Sequence, residues 1–188
     1  MSDVQEPQVL AFEGFYIDER KRLLFNGGRE SLSLPSRAFD ILLFLARPQH
    51  IFMRGLGGGS LAKFCWRHVG SARITVVEID PDVIAFRDEF ELPPDGPRLA
   101  VIEGDGAAHV QALGATGEKP DVIMMDAFDR HGLAGSVSSV DFYESVLRAL
   151  AGRGIMVANL AGEGADRVEH LAMIGEAFDE RVLSLSLP

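Results

Sequence analysis

Apolar residues follow two rhythms along the chain. Up to about residue 34 they come in short alternating runs. "LAFEGFYID" and "KRLLFNGGRESLSL" read as short strands, with Asn26-Gly27-Gly28 as a hairpin turn. "PSRAFDILLFLA" then reads as a helix: Pro35 suits its first turn, and Phe39, Leu42, Leu43 and Ala46 form an apolar stripe. From residue 50 continuous apolar blocks alternate with helical patterns. "HIFMRGL", "RITVVEI", "RLAVIEG", "DVIMMDA", "GIMVANL" and "RVLSLSL" are the strand candidates. The first helix between them carries Leu61, Phe64, Cys65 and Val69 on one face. Asp80-Pro81 opens the second, followed by Val83, Phe86 and Phe90 at helical spacing. A short helix near Ala107 to Leu113 comes next. "SSVDFYESVLRAL" follows, with Ser138-x-x-Asp141 as a capping box, and then "ADRVEHLAMIGEAF". Continuous apolar strands separated by helices predict an α/β fold, a parallel sheet covered on both faces. The expected division is residues 1–48, a β-hairpin plus helix, and residues 49–188, the α/β domain.

Composition narrows the setting. The chain has 188 residues, 47% of them hydrophobic, which is enough for a sizeable core. The longest apolar stretch, "AFDILLFLA", is interrupted by Asp40 and is too short to span a bilayer. The first ten residues are polar and acidic, unlike a signal peptide. Cys65 is the only cysteine, so no intrachain disulfide forms, and a cytoplasmic protein is expected. A net charge of -10 opposes non-specific nucleic-acid binding and suits an enzyme with a cationic or zwitterionic ligand.

The candidate chemistry starts at "RGLGGGSLAKF", residues 54 to 64. In parallel sheets ligands sit beyond the carboxyl ends of the strands, near the point where strand order reverses. Gly55, Gly57, Gly58 and Gly59 fall at that end of the first parallel strand. Glycine there permits positive φ and close approach of a ligand to the backbone. Glu78 ends the second strand, nineteen residues after Gly59, where a carboxylate can accept both ribose hydroxyls. Asp105 and Gly106, in "EGDG", end the third, and Asp105 can accept from an exocyclic adenine amine. Loop, acid and strand order together point to an adenosine-type ligand.

These motifs, in this order and spacing over roughly residues 36 to 188, resemble the polyamine aminopropyltransferases (spermidine synthases), and more closely their bacterial spermidine-synthase-like relatives. The resemblance implies the Rossmann-like sheet of class I S-adenosylmethionine-dependent methyltransferases. It implies S-adenosylmethionine or its decarboxylated form as co-substrate and a small-molecule amine acceptor; no metal is expected, since the five histidines show no metal-ligand spacing. By the same resemblance the glycine loop faces the methionine part of the nucleoside, Glu78 holds the ribose and Asp105 the adenine. "MDAFDRHG" then matches the family's Asp-x-x-Asp gate, with Asp126 helping to deprotonate the attacking amine and Asp129 as the second acid. A carboxylate within reach of an amine can take its proton. Three features depart from the family pattern. Gly58 stands where typical synthases carry a loop aspartate, Arg130 replaces the proline after the gate, and the tyrosine-glutamine-glutamate segment of the amine site has no counterpart. Aminopropyl and methyl transfer therefore both stay open. Arg54 can meet a carboxylate, which favours ordinary S-adenosylmethionine; the alternative is a solvent-facing or ion-paired arginine.

Competing readings are weaker. A non-catalytic nucleoside-binding regulatory module would explain the missing loop aspartate. Residues 9–47 resemble the start of a winged-helix transcription regulator, but the resemblance stops before any recognition helix. Ser60, Asp126 and His170 follow hydrolase chain order, yet Ala62 replaces the last glycine of a nucleophile elbow. His50, His68 and His170 read as surface or helix-end residues, and Trp66 and Cys65 as helix packing. Methyltransferase-type sheets usually carry a seventh, antiparallel strand; with six strand candidates after residue 50, that strand is expected to be missing here, whether by truncation or by natural design. "RVLSLSL" is then expected to pair directly with the fifth strand, in order 3-2-1-4-5-6, or to build a homodimer at an open edge.

Overall fold

The computed structural model describes residues 9–12, 15–18, 21–26, 30–32, 39, 48–125, 128–129, 132–133, 139–160 and 165–184. Two compact units divide the chain, 1–47 and 48–188.

In the first unit, β1 (Val9–Phe12), β2 (Phe15–Asp18), β3 (Leu23–Phe25) and β4 (Ser31–Leu32) form an antiparallel meander in chain order. This is a four-stranded sheet rather than the single hairpin expected. The turn between β3 and β4 is wider than Asn26-Gly27-Gly28. Asn26 N–H donates to Glu30 O at 3.0 Å, and Glu30 N–H donates to Asn26 Oδ1 at 3.0 Å. Gly27, Gly28 and the expected helix over 35–46 lie outside the described residues, apart from Phe39, which is helical and buried.

The second unit holds five parallel strands: β5 (His50–Arg54), β6 (Arg73–Glu78), β7 (Leu99–Glu103), β8 (Val122–Met125) and β11 (Ile155–Ala158). Their spatial order is β11-β8-β5-β6-β7, so strand order reverses between β5 and β8. A separate two-stranded hairpin pairs β9 (Phe128–Asp129) with β10 (Gly132–Leu133). The helices are α1 (Ser60–His68), α2 (Pro81–Ala85), α3 (Gly106–Thr116), α4 (Val140–Ala149) and α5 (Ala165–Ala177). The largest core cluster joins Phe52 and Ile123 of the sheet to Val110 of α3, Tyr143 and Val146 of α4 and Ile174 of α5. β5 is buried at every position, as a strand covered on both faces must be.

Several local expectations change once packing is seen. On α1 the buried residues are Ala62 and Cys65, whereas Leu61 and Phe64 are about 40% exposed. The small residues let the helix lie close to β6, and the large ones turn outward. Burial pushes the Cys65 thiol up to about 11, which leaves it inert. Trp66 is partly exposed, and the Arg98 guanidinium sits 5.6 Å over its ring. The Asp80 cap and first-turn proline form as read, with Asp82 N–H donating to Asp80 Oδ1 at 2.9 Å. That helix stops at Ala85, and Phe86 is exposed. The α4 cap is Ser139, accepting from Phe142 N–H, one residue beyond Ser138.

The expected sixth strand is not formed over residues 181–184, which carry no strand pairing. Asp179 and Glu180 take positive φ of 50° and 56°, and Glu180 N–H closes back on Gly175 O. The chain therefore leaves α5 through a left-handed turn, and Val182 and Leu183 stay exposed. The order 3-2-1-4-5-6 is corrected to its first five members, with residues 185–188 outside the described set.

His50 is buried, contrary to the surface reading. Its Nδ1 lies 3.2 Å from Arg73 Nη2 and its Nε2 3.1 Å from Thr75 Oγ1. Arginine only donates, so Nδ1 accepts and Nε2 carries the hydrogen. Burial, then the Arg73 charge, hold the His50 pKa below its ordinary 6.5, against Glu118 and Asp121. The unfolded chain thus binds a proton that the folded chain resists. Stability is full above about pH 6.5 and falls as pH drops below it. Thermal melts across about pH 5 to 7.5 should show a shallower acid slope for His50→Gln than for the parent. Equal slopes would assign the acid sensitivity to other groups.

Candidate functional site

The carboxyl ends of β5, β6 and β7 lie side by side, and Glu78 ties them together. Its Oε2 accepts from Leu56 N–H at 2.7 Å, inside the glycine loop, and its Oε1 accepts from Asp80 N–H at 3.0 Å, before α2. Gly55 N–H donates to Val77 O at 2.9 Å, and Gly104 N–H donates to Glu78 O at 2.8 Å. Glu78 is buried, with 8% exposure, so its carboxylate is a fixed acceptor. A carboxylate has more lone pairs than these two bonds use, which leaves acceptor capacity at its rim.

The loop needs glycine at three positions. Gly55, Gly57 and Gly59 have φ of 96°, 51° and 69°. Gly59 is the N-cap of α1 in the left-handed conformation, and Leu92 fills the space where its Cβ would stand. Gly57 and Gly58 are exposed, with nothing within 4 Å of an added Cβ. Open space therefore lies over the loop, next to the N–H groups that begin α1.

Asp105 is exposed and caps α3, its Oδ1 accepting from Ala107 N–H at 2.8 Å. Gly106 is buried, and its missing side chain makes room for Arg54: a Cβ there would come 2.5 Å from Arg54 Cγ. Arg54 is 7% exposed, which removes the solvent-facing alternative. Side chains alternate along a strand, so Arg54 shares a face with Phe52, toward α3 and α4. That spacing was the signal in the sequence for its burial. Desolvation lowers the Arg54 pKa, opposed by the charges of Asp105 and Glu78.

Sequence reasoning missed a buried pair below this rim. Tyr143 Oη and His170 Nδ1 are 3.1 Å apart, joining α4 to α5. Burial pushes the phenol up to about 12, so Tyr143 stays neutral. His170 is buried, not a helix-end surface residue. His109 stacks on Phe52 with ring centroids 5.5 Å apart. No local pattern marks these contacts, which join residues far apart in sequence.

Gly55 to Gly59, Glu78, Asp105 and Gly106 are thus gathered at adjacent strand ends. Asp126 follows β8 directly but lies outside the described residues. Asp129 belongs to the two-residue strand β9, opposite Gly132 in the hairpin. Among the described residues no three His, Cys, Asp or Glu side chains gather as a metal site. None of the described helices is long and apolar enough to cross a membrane.

A five-stranded parallel sheet in this order, with a glycine loop and an acid at its first two strand ends, is the methyltransferase-type Rossmann-like architecture. Solved structures agree. Human methyltransferase-like protein 13 in complex with SAH has a TM-score of 0.63 at 26% identity, covering 72% of this chain and 65% of that one. A spermidine synthase in complex with the transition-state analogue AdoDATO has a TM-score of 0.62 at 18% identity, covering 90% and 64%. The spermine/spermidine synthase domain matches residues 12–171, and the chain belongs to that family. A polyamine aminopropyltransferase of Chromobacterium violaceum is 33% identical over 156 residues, 82% of this chain and 58% of the relative. One from Neisseria meningitidis serogroup A is 36% identical over 146 residues, 77% and 54%. The chain spans about half the length of the curated relatives it matches.

Proposed function

We propose that the chain is a transferase that binds S-adenosylmethionine or its decarboxylated form and moves an alkyl group to a small amine. The observation that carries this reading is the frame around Glu78: a buried carboxylate bonded to the glycine loop at 2.7 Å, flanked by Asp105 at the α3 N-cap, just past the end of the neighbouring strand β7. Its free rim would receive the ribose, Asp105 Oδ2 the adenine, and the open ground over Gly57 and Gly58 the sulfonium tail. Asp126 would take the proton of the attacking amine, with Asp129 adding negative charge for a cationic acceptor. Polyamine aminopropyltransferase relatives favour aminopropyl transfer. Methyl transfer is the second reading, supported by the likeness to human methyltransferase-like protein 13, whose structure is in complex with SAH.

Calorimetry with S-adenosylmethionine, decarboxylated S-adenosylmethionine and methylthioadenosine tests the donor site. Glu78→Ala should weaken methylthioadenosine binding by about 1.5–3 kcal/mol, the scale of a lost charge-assisted hydrogen bond. It also strips the Leu56 and Asp80 N–H groups of their acceptor, so a melt must accompany the titration. Unchanged affinity in a folded variant would overturn the ribose role.

A further inference from the structure

We propose that Leu92 is a positioning residue for the nucleoside donor: it braces the glycine loop from outside the site, and the Arg87–Asp95 pair holds it there. The inference rests on the donor-binding reading above and adds to it the device that keeps the site in shape before a ligand arrives.

The loop has little of its own to hold it. Gly57, Gly58 and Gly59 carry no side chains, and Gly57 and Gly59 take positive φ. α1 starts at Gly59 without a side-chain cap. Of these three glycines only Gly59 has protein against the place of its Cβ. That neighbour is Leu92, with Cδ1 closest and Cγ at 3.3 Å, and Leu56 Cδ1 reaches the same point at 3.9 Å. Both leucines are buried. They close over Gly59 as one small apolar contact, and Leu56 is also the residue whose N–H is bonded to Glu78 Oε2. The brace therefore bears on both parts of the frame, the loop and the acid.

Leu92 is itself held. Residues 86–98, between α2 and β7, form neither strand nor α-helix, yet they are tied at several points. Glu91 takes φ 54° just before Leu92, and Leu92 N–H donates to Arg87 O at 3.0 Å. The Arg87 guanidinium closes the same turn. Its Nη1 donates to Asp95 Oδ2 at 2.9 Å, and its Nη2 donates to Asp95 Oδ1 and to Pro93 O, both at 3.1 Å. Two parallel bonds from a planar fork fix orientation as well as distance. Asp95 Oδ1 also accepts from Val101 N–H at 3.0 Å, which fastens the segment to β7, and Lys63 Nζ of α1 donates to Phe90 O. Leu92 thus projects from a closed turn anchored to α1 and β7. The consequence for binding is entropic. A ligand that lies on a loose glycine loop must order it, and that cost lowers affinity. A loop already braced has met the cost in folding.

The experiment is calorimetry of the whole chain with methylthioadenosine, with a thermal melt of each variant. Leu92→Ala removes the contact with Gly59 and should weaken binding by about tenfold, through a less favourable entropy. Leu92→Met keeps the reach of the side chain and should bind within about twofold of the parent. Asp95→Asn leaves Leu92 in place but loosens its holder, and should weaken binding by about threefold. Leu113→Ala, buried in α3 away from the loop, is the control: it should lower the melting temperature and leave the affinity unchanged. A folded Leu92→Ala with the parent's affinity overturns the proposal, and so does a Leu113→Ala that loses as much affinity as Leu92→Ala. Should Leu92→Ala not fold, Asp95→Asn decides: the parent's affinity in that variant overturns the proposal equally. Failure of the parent to bind methylthioadenosine is a different result: it removes the donor-site reading itself, and the role of Leu92 with it.

Discussion

Asp126→Asn is expected to slow turnover by about a hundredfold or more while leaving methylthioadenosine affinity unchanged, the scale of a lost general base. The argument is chemical. An ammonium has no lone pair, so the acceptor amine must lose a proton before or as it attacks the carbon beside the sulfonium. Asp126 directly follows β8, whose last residue, Met125, pairs with Arg54 at the end of β5. β8 itself ends on the carboxyl side of the sheet, where Glu78 and Asp105 also stand. Asparagine keeps the shape of the side chain and removes its basicity, so binding and chemistry separate cleanly in the variant. Amines must be screened first to find an acceptor, and rates then compared at saturating donor. Full activity in Asp126→Asn would move the base to another group; loss of methylthioadenosine binding would make Asp126 a donor-site residue.

Gly59→Ala is expected to be the most destabilising of three glycine-loop substitutions, by about 2–5 kcal/mol. Two costs combine. Gly59 holds φ 69° at the α1 N-cap, and a left-handed L-residue costs roughly 1–2 kcal/mol. Its new methyl would also overlap Leu92 Cδ1, which is itself buried, and overpacking a core site costs about 1–3 kcal/mol. Gly57→Ala carries the backbone cost alone, since φ is 51° but the surrounding space is open. Gly58→Ala carries neither. Denaturant titrations should therefore rank Gly59→Ala below Gly57→Ala and Gly57→Ala below Gly58→Ala, with the last near the parent. A Gly59→Ala protein as stable as Gly58→Ala would mean that Leu92 and the cap relax at little cost.

The sequence by itself determined those features whose physics is local. Strands buried on both faces are near-continuously apolar, so the runs "IFM", "ITVV" and "VIMM" announced a parallel sheet. Asp80-Pro81 announced a helix start because cap and fixed φ act within one turn. The gathering of Gly55 to Gly59, Glu78 and Asp105 at neighbouring strand ends was also legible, since each closes one of three successive strands of a parallel sheet. Tertiary structure decided the rest. Which side of α1 is buried depends on how close β6 lies, and that favoured Ala62 and Cys65 over Leu61 and Phe64. The burial of His50 and His170 depends on Thr75 and Arg73 in one case and Tyr143 in the other, partners 23 to 27 residues away. "RVLSLSL" had the strand pattern, but the left-handed turn at Asp179 and Glu180 carries residues 181–184 away from pairing. Arg54 is the clearest case. Its charge suggested a carboxylate partner, an ion pair or solvent. Burial prevailed because Gly106, fifty-two positions along the chain, leaves the space that its stem occupies.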